Sequence, residues 1–213
     1  MAENHYGREN VCSHGDYVGK SIQKISDYPF VSGHFGYTLA KQLMRDRYSF
    51  TFLRSPIERV LSYYSFCRSR DPDEYEIYRM ANSMELKEFL VGLLSDRSMK
   101  WQVFNGQVWY LACGPGDNKT RINYIPSSEL VERASANLQE FSYIGFTESF
   151  VKDRAHILNA LKMPQPRDDV RVNVTENRLE ISDLSLDELT LLEEITALDQ
   201  VLYQQAWSRR TRP

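Results

Sequence analysis

The feature that most constrains the fold is an abrupt junction between a predicted strand and a predicted helix. Residues 48–53 read Tyr-Ser-Phe-Thr-Phe-Leu and lead directly into Arg54-Ser55-Pro56. A short aromatic segment that stops at a turn signal predicts a strand in the middle of a sheet. Pro56 at the first helical position, with Glu58 three residues after Ser55, predicts a helix that begins with a capping box. The junction therefore indicates an α/β fold.

Short predicted strands and helices alternate along the rest of the chain. We expect a single three-layer α/β domain over residues 1–213, with a short, mainly parallel sheet flanked by helices. Residues 1–27 are polar and predict an irregular N-terminal segment, and residues 208–213 predict a solvated basic tail. Strands are predicted at residues 28–32, 48–53, 124–125 and 141–146. Helices are predicted at residues 37–45, 84–94 and 101–111, and after the capping residues Ser55, Ser127, Thr147 and Ser185.

Composition excludes several classes of protein. The 213 residues include 26 Lys plus Arg and 29 Asp plus Glu, a balance that argues against a nucleic-acid binder driven by bulk charge. The longest apolar run, Phe89 to Leu94, is far shorter than the roughly 18 residues that span a bilayer. The first residues show no basic and then apolar leader, so we expect a cytoplasmic protein with no membrane segment. The three cysteines lack metal-ligand spacing and predict reduced thiols.

The strand-to-helix junction also predicts an anion site. Ligands of α/β sheets bind outside the carboxyl ends of strands, where helix N-termini present free N–H groups and a positive dipole. Arg54 stands at that place with a planar guanidinium that can pair with two phosphate oxygens. Ser62, two turns into the helix, can offer a hydroxyl on the same flank. Arg54 could equally serve as a structural ion-pair residue, and Arg59 could point to neighbouring acidic groups or to solvent.

Residues 51–64, Thr-Phe-Leu-Arg-Ser-Pro-Ile-Glu-Arg-Val-Leu-Ser-Tyr-Tyr, resemble the 3′-phosphate-binding segment of the sulfotransferases. The likeness is closest to the branch that contains the heparan sulfate 2-O-sulfotransferases and their bacterial relatives. Ser32-Gly33-His34-Phe35 is similar to the Gly-His motif of that family. Residues 144–148, Ile-Gly-Phe-Thr-Glu, and 199–203, Asp-Gln-Val-Leu-Tyr, resemble its closing segments. The resemblance extends from about Cys12 to Ala206.

This resemblance implies a fold similar to that of nucleotide kinases and a specific reaction. The enzyme would move a sulfuryl group from 3′-phosphoadenosine 5′-phosphosulfate (PAPS), its co-substrate, to a hydroxyl of a carbohydrate or comparable acceptor. Arg54 and Ser62 would hold the 3′-phosphate of the donor, and His34 would be the general base, without need of a metal. An arginine near residue 170 would add a phosphate contact, and Arg178 is the candidate, with Arg167 and Arg171 as alternatives.

One part of the family pattern is missing. The family opens with a strand and a Pro-Lys-Thr-Gly-Gly-Thr-Ser-like loop that cradles the 5′-phosphosulfate, and no such loop is found here. The nearest segment, Gly15 to Ser21, is one residue short of a Walker-type loop and lacks a convincing apolar strand before it, which predicts a polar loop. We therefore expect that Met1 follows the first βα unit of the fold.

Two further functions remain open at this point. The chain could be a non-catalytic or truncated relative that keeps only the 3′-phosphate half of the nucleotide site. A kinase-like phosphoryl transferase is disfavoured, because neither a complete Walker loop nor a metal-binding aspartate can be placed. Residues 105–107, Asn-Gly-Gln, with Trp109 and Tyr110, would line an acceptor groove or form an amphipathic helix of the core.

Overall fold

The structure, a computed structural model, describes residues 1–95, 103–114, 125–166 and 179–210. Its strands form two parallel pairs. β1 (Val11–Cys12) pairs with β2 (Phe30–Val31), and β3 (Phe50–Leu53) pairs with β4 (Tyr143–Phe146). In the second pair Phe50 is opposite Tyr143 and Leu53 is opposite Phe146, so both strands end at the same edge. The predicted α/β class with parallel strands is confirmed.

Helices account for most of the remaining described residues. The N-terminal half contains α1 (Ala2–Tyr6), α2 (Ile22–Ser26), α3 (Tyr37–Leu43), α4 (Pro56–Arg68), α5 (Glu76–Ser83) and α6 (Leu86–Ser95). The C-terminal half contains α7 (Gly106–Ala112), α8 (Ser127–Leu138), α9 (Phe150–Ala160) and α10 (Leu186–Arg210). Single 3-10 turns lie at Arg8–Asn10, Thr147–Ser149 and Ile181–Asp183. In the described part of the chain, no helix has both the length and the apolar character needed to cross a membrane.

The long helix α10 joins the two larger parts of the core. Its 25 residues extend about 37 Å at the usual helical rise. Near its start, Leu192 and Ile195 pack with the buried faces of α4, α5 and α6. Near its end, Leu202 and Ala206 pack with β3, β4, α7 and α8. The helix therefore holds the strand-to-helix junction of β3 and α4 between two hydrophobic clusters.

Several predicted elements are confirmed with small changes at their ends. The strand predicted at residues 48–53 is present as β3, and the helix predicted to follow Ser55 is α4. The capping box of α10 is present, since the Ser185 N–H donates to Glu188 at 2.8 Å and the Glu188 N–H donates to Ser185 Oγ at 3.3 Å. The strand predicted at residues 124–125 is wrong at Ile125, which lies in a bend, and Tyr124 lies outside the described residues.

Two predictions are wrong: that residues 1–27 are irregular, and that α4 begins with a capping box. Residues 1–27 are not irregular, because they contain α1, a 3-10 turn, β1 and α2. Ser55 is the N-cap residue of α4, but its side chain makes no capping hydrogen bond. The Ser55 N–H instead donates to Glu148 Oε1 at 2.6 Å, and Glu58 faces Arg54. The capping box that the local pattern predicts is replaced by a contact with a residue beyond β4.

The basic tail is only partly solvated. Arg209 is exposed, as predicted, but Arg210 folds back onto Asp153 of α9, whose side chain is fully buried. Both terminal nitrogens of the Arg210 guanidinium, Nη1 and Nη2, donate to that carboxylate, and the Nη1 bond is 2.8 Å long. The carboxylate also accepts hydrogen bonds from the Phe146 N–H at 2.7 Å and from Ser149 Oγ at 2.8 Å. The end of α10 is thereby tied to the carboxyl end of β4.

Candidate nucleotide and acceptor site

Arg54 lies where the sequence places it, immediately after β3 and before the first turn of α4. Because β3 and β4 end together, the segments that leave the two strands lie side by side. Ser55 on one segment is hydrogen-bonded to Glu148 on the other. The Arg54 side chain is about a quarter exposed, and its Nη2 lies 3.7 Å from Glu58 Oε2. The junction therefore places a half-buried cation beside a helix N-terminus, as an anion site requires.

The main chain of Arg54 is held by a residue that is distant in sequence. The Arg54 N–H donates to Gln107 Oε1 at 2.9 Å, and Gln107 Nε2 donates to the Arg54 carbonyl at 2.9 Å. Gln107 is buried, with 9 % of its surface exposed. From the sequence, Gln107 is a candidate for lining an acceptor groove. In the structure its side chain instead holds the main chain of the β3–α4 junction.

A buried carboxylate orients the helix that carries Gln107. Asp199 of α10 accepts hydrogen bonds from the Gln107 N–H at 3.2 Å and the Val108 N–H at 2.7 Å, which satisfies the first turn of α7. Burial raises the pKa of Asp199 to about 6. The two N–H donors and the nearby charge of Arg59 lower this pKa, but their effect is smaller than that of burial. Asp199 therefore fixes the start of α7 against α10.

Asn105 joins the same network. Its Oδ1 accepts hydrogen bonds from the Leu198 N–H at 2.8 Å and the Asp199 N–H at 3.2 Å, within helix α10. The Asn105 N–H donates to the Ile195 carbonyl at 2.9 Å. Asn105 has φ 47° and ψ 43°, a left-handed conformation that asparagine tolerates better than most residues. Asn105 therefore locks α7 to α10 and, like Gln107, is buried in the fold rather than exposed in a groove.

Arg59 is a further candidate for the site, and sequence reasoning did not select it. A Cβ atom added to Gly106 would lie 2.7 Å from both terminal nitrogens of the Arg59 guanidinium, so this group rests directly on the glycine main chain. The positive charge of Arg59 lowers the pKa of Tyr110, which burial raises, and helps to lower the pKa of His34. Arg59 thus connects α4 to α7, and its charge acts on His34. The sequence signal that could have identified Arg59 is its position within residues 51–64, the segment that resembles a phosphate-binding segment.

His34 lies at the surface in the loop after β2. Partial burial of its imidazole lowers its pKa, and the charges of His14 and Arg59 lower the pKa further. The two histidine rings are 4.5 Å apart in an edge-to-face arrangement, and the His34 N–H donates to His14 Nδ1 at 3.4 Å. A histidine with a lowered pKa is neutral at pH 7 and can accept a proton. The charge of Arg59 in α4 thus acts on His34, although the two residues are 25 positions apart in the sequence.

A glycine contact positions the His34 loop. Gly36 meets Gly114 so closely that a Cβ atom on Gly36 would lie 2.1 Å from the Gly114 Cα. Next to this contact, the N–H and the hydroxyl of Thr38 both donate to the Cys113 carbonyl, at 3.2 and 3.1 Å. The loop that carries His34 is therefore docked on the end of α7, the helix that also carries Gln107.

Replacing Gly36 by alanine should destabilise the protein by about 1–3 kcal/mol, because the new methyl meets main chain that cannot rotate away. Gly36 has φ −79°, which alanine adopts easily, so the effect arises from the contact alone. Urea unfolding of Gly36→Ala measures it. Gly92→Ala in α6 is the matched control, since its methyl would meet only the flexible end of Met80 in α5. Equal stability of the two variants would contradict the claim that the Gly36–Gly114 contact excludes a methyl group.

The other predicted site residues are placed as follows. Ser62 is half-buried on α4, three residues after Arg59 and therefore on the same side of the helix. Arg167, Arg171 and Arg178 lie outside the described residues. The Gly15–Ser21 segment lies between β1 and α2, with Lys20 Nζ 3.1 Å from the Tyr28 hydroxyl. A strand does precede this loop, contrary to the sequence reading, although it contains only Val11 and Cys12.

A family profile recognises this chain. Neither a curated protein nor a solved structure gives a significant match. Within residues 1–95, 103–114, 125–166 and 179–210, no three His, Cys, Asp or Glu side chains are grouped to hold a metal ion. The profile of the sulfotransferase family matches residues 21–204, which include β2, the β3–α4 junction, α7 and the first three quarters of α10. The chain belongs to the sulfotransferase family.

Proposed function

We propose that this sulfotransferase takes its sulfuryl group from PAPS and transfers it to a hydroxyl of a carbohydrate or similar acceptor. The observation that carries the proposal is the β3–α4 junction, where Arg54 stands at a helix N-terminus and the charge of Arg59, in the same helix, acts on His34. Arg54 would bind a phosphate of the donor, and His34 would be neutral at pH 7. Family membership supports sulfuryl transfer in general.

The donor's 3′-phosphate fits the chemistry of the junction. Arg54 can present a two-pronged hydrogen-bond donor to a phosphate, which is a stronger contact than its 3.7 Å ion pair with Glu58. The helix dipole of α4 favours negative charge at the same place, and Ser62 would add a hydroxyl donor. The Glu148 carboxylate already accepts the Ser55 N–H, so the phosphate would depend on the two side chains rather than on that N–H group.

His34 would accept the proton of the acceptor hydroxyl. Oxygen of the acceptor forms a bond to sulfur, the bond from sulfur to the 5′-phosphate oxygen breaks, and 3′,5′-adenosine bisphosphate leaves. His34 takes up the released proton, and its lowered pKa keeps the imidazole neutral and ready near pH 7. Arg59 would stabilise the negative charge that spreads over the transferred group, since a fixed cation contributes most in a partly dehydrated site.

Binding of 3′,5′-adenosine bisphosphate tests the proposal without knowledge of the acceptor. Replacing Arg54 by alanine should weaken binding roughly 10- to 100-fold, as expected for the loss of about 1.5–3 kcal/mol from a charged hydrogen bond. Isothermal titration calorimetry gives the affinities. Arg45→Ala is the control, because Arg45 is almost fully exposed and pairs only with its neighbour Asp46 in the described structure.

The outcomes separate the candidate functions. Equal affinity of wild type and Arg54→Ala would mean that the donor site is wrongly assigned. Binding that depends on Arg54, without sulfuryl transfer from PAPS to any of a set of sugar, lipid and phenolic hydroxyls, would favour a non-catalytic relative that keeps the 3′-phosphate half-site. Transfer that depends on both Arg54 and His34 would support the enzyme.

A further inference from the structure

The reciprocal hydrogen bonds between Gln107 and Arg54 are the starting point. Arg54 is the first residue after β3, where the ladder between β3 and β4 ends at Leu53 and Phe146. The Gln107 side chain takes over at this point, since it accepts from the Arg54 N–H and donates to the Arg54 carbonyl, both at 2.9 Å. A side-chain amide thus continues the pairing of the strand by one residue.

Gln107 is itself held on both sides. Its main-chain N–H donates to the buried carboxylate of Asp199 at 3.2 Å, and the preceding Asn105 is hydrogen-bonded into helix α10. Gln107 is the second residue of α7, so its position follows that of the helix start. A continuous buried chain of hydrogen bonds therefore leads from α10 through Asp199 and Gln107 to the main chain of Arg54.

We propose that Gln107 is a positioning residue for the donor's 3′-phosphate, acting through the main chain of Arg54. The inference rests on the proposed function. An arginine pairs well with a phosphate only when its planar group meets the oxygens at the right angle, and that angle follows from the main chain that carries it. Arg54 belongs to neither β3 nor α4, so the regular hydrogen bonds of those elements do not orient it. The Gln107 amide supplies this orientation.

Two nucleotides distinguish positioning from a purely structural role. 3′,5′-Adenosine bisphosphate has the 3′-phosphate that Arg54 would bind, and adenosine 5′-monophosphate lacks it. Gln107→Met keeps the length of the side chain and removes both hydrogen bonds to Arg54. We expect a 5- to 30-fold loss of affinity for the bisphosphate and less than a twofold change for the monophosphate. If the variant only destabilised the fold, the affinities for both nucleotides would fall together, and this result would overturn the proposal.

A double-mutant cycle provides the second criterion. In an Arg54→Ala background, Gln107→Met should cause no further loss of bisphosphate affinity, because the residue through which it acts is gone. An undiminished loss in that background would overturn the proposal. Gln205→Met is the matched control: this glutamine of α10 also makes a side-chain hydrogen bond, with Ser135 at 3.0 Å, but contacts a different helix. Its bisphosphate affinity should equal that of the wild type.

Gln107→Glu guards against a variant that does not fold. The carboxylate keeps an acceptor for the Arg54 N–H, loses the donor to the carbonyl and adds a negative charge near the phosphate, so its bisphosphate affinity should fall at least as far as that of Gln107→Met. Wild-type affinity in both Gln107 variants would overturn the inference and leave the role of Arg54 intact. Failure of the proposed function looks different: the wild type itself would bind the bisphosphate no more tightly than the monophosphate, and both proposals would fall.

Discussion

Replacing Arg210 by alanine should lower the free energy of unfolding by about 3 kcal/mol, although only three residues follow it in the sequence. Asp153 is completely buried, and Arg210 is its only cationic partner within the described structure. Removing the guanidinium leaves a buried carboxylate supported by the Phe146 N–H and the Ser149 and Tyr143 hydroxyls alone. Urea unfolding followed by circular dichroism gives the difference.

The neighbouring Arg209 provides the control for Arg210. It belongs to the same helical turn but is exposed, so Arg209→Ala should change stability by only a few tenths of a kcal/mol. If the two variants are equally stable, the ion pair contributes nothing measurable.

The Arg210 effect should also depend on pH. Burial would raise the pKa of Asp153, but the hydrogen bonds from Arg210, Phe146, Ser149 and Tyr143 hold it below its ordinary value of 3.8. A lowered carboxyl pKa contributes stability that is complete above that ordinary value and is lost as the pH falls through the lower, folded-state pKa. The difference between wild type and Arg210→Ala should therefore shrink below about pH 4, and a constant difference would contradict this origin.

Replacing His34 by alanine should reduce sulfuryl transfer by about 10²- to 10⁴-fold, the usual contribution of a positioned general base. Affinity for 3′,5′-adenosine bisphosphate should stay within about twofold of wild type, since the nucleotide half-site is assigned to Arg54 and Ser62. The measurement is release of the bisphosphate product from PAPS with a hydroxyl acceptor that the wild type uses. Turnover retained by His34→Ala would remove this histidine as the base.

His14 offers a test of how the base is tuned. The charge of His14 helps to lower the pKa of His34, so His14→Ala should raise that pKa and move the acidic limb of the pH–rate profile to higher pH. Proton NMR titration of the His34 ring follows the pKa directly, apart from any activity. Loss of the His14 ring also exposes the His34 imidazole and raises its pKa in the same direction, whereas Arg59 is unchanged in the variant. An unchanged titration would contradict the coupling.

Local pattern predicted much of the fold. The aromatic segment of residues 48–53 and the Pro56 signal identify β3 and the start of α4, because strand propensity and helix-start geometry depend on adjacent residues. Ser185 and Glu188 identify the start of α10 for the same reason. The N-terminal elements were missed, since β1 has two residues and α1 and α2 have five each, too few for a periodic pattern.

The candidate site divides in the same way. The sequence alone determined that Arg54 follows a strand, that Ser62 lies two turns into the next helix, and that His34 stands in a loop after a short strand, since each statement concerns order along the chain. Only the tertiary structure decided what surrounds them. Gln107 reaches Arg54 across 53 positions, and Glu148 reaches Ser55 across 93. These contacts depend on how β3 lies against β4 and α7 against α10, and that packing is not encoded in any local spacing.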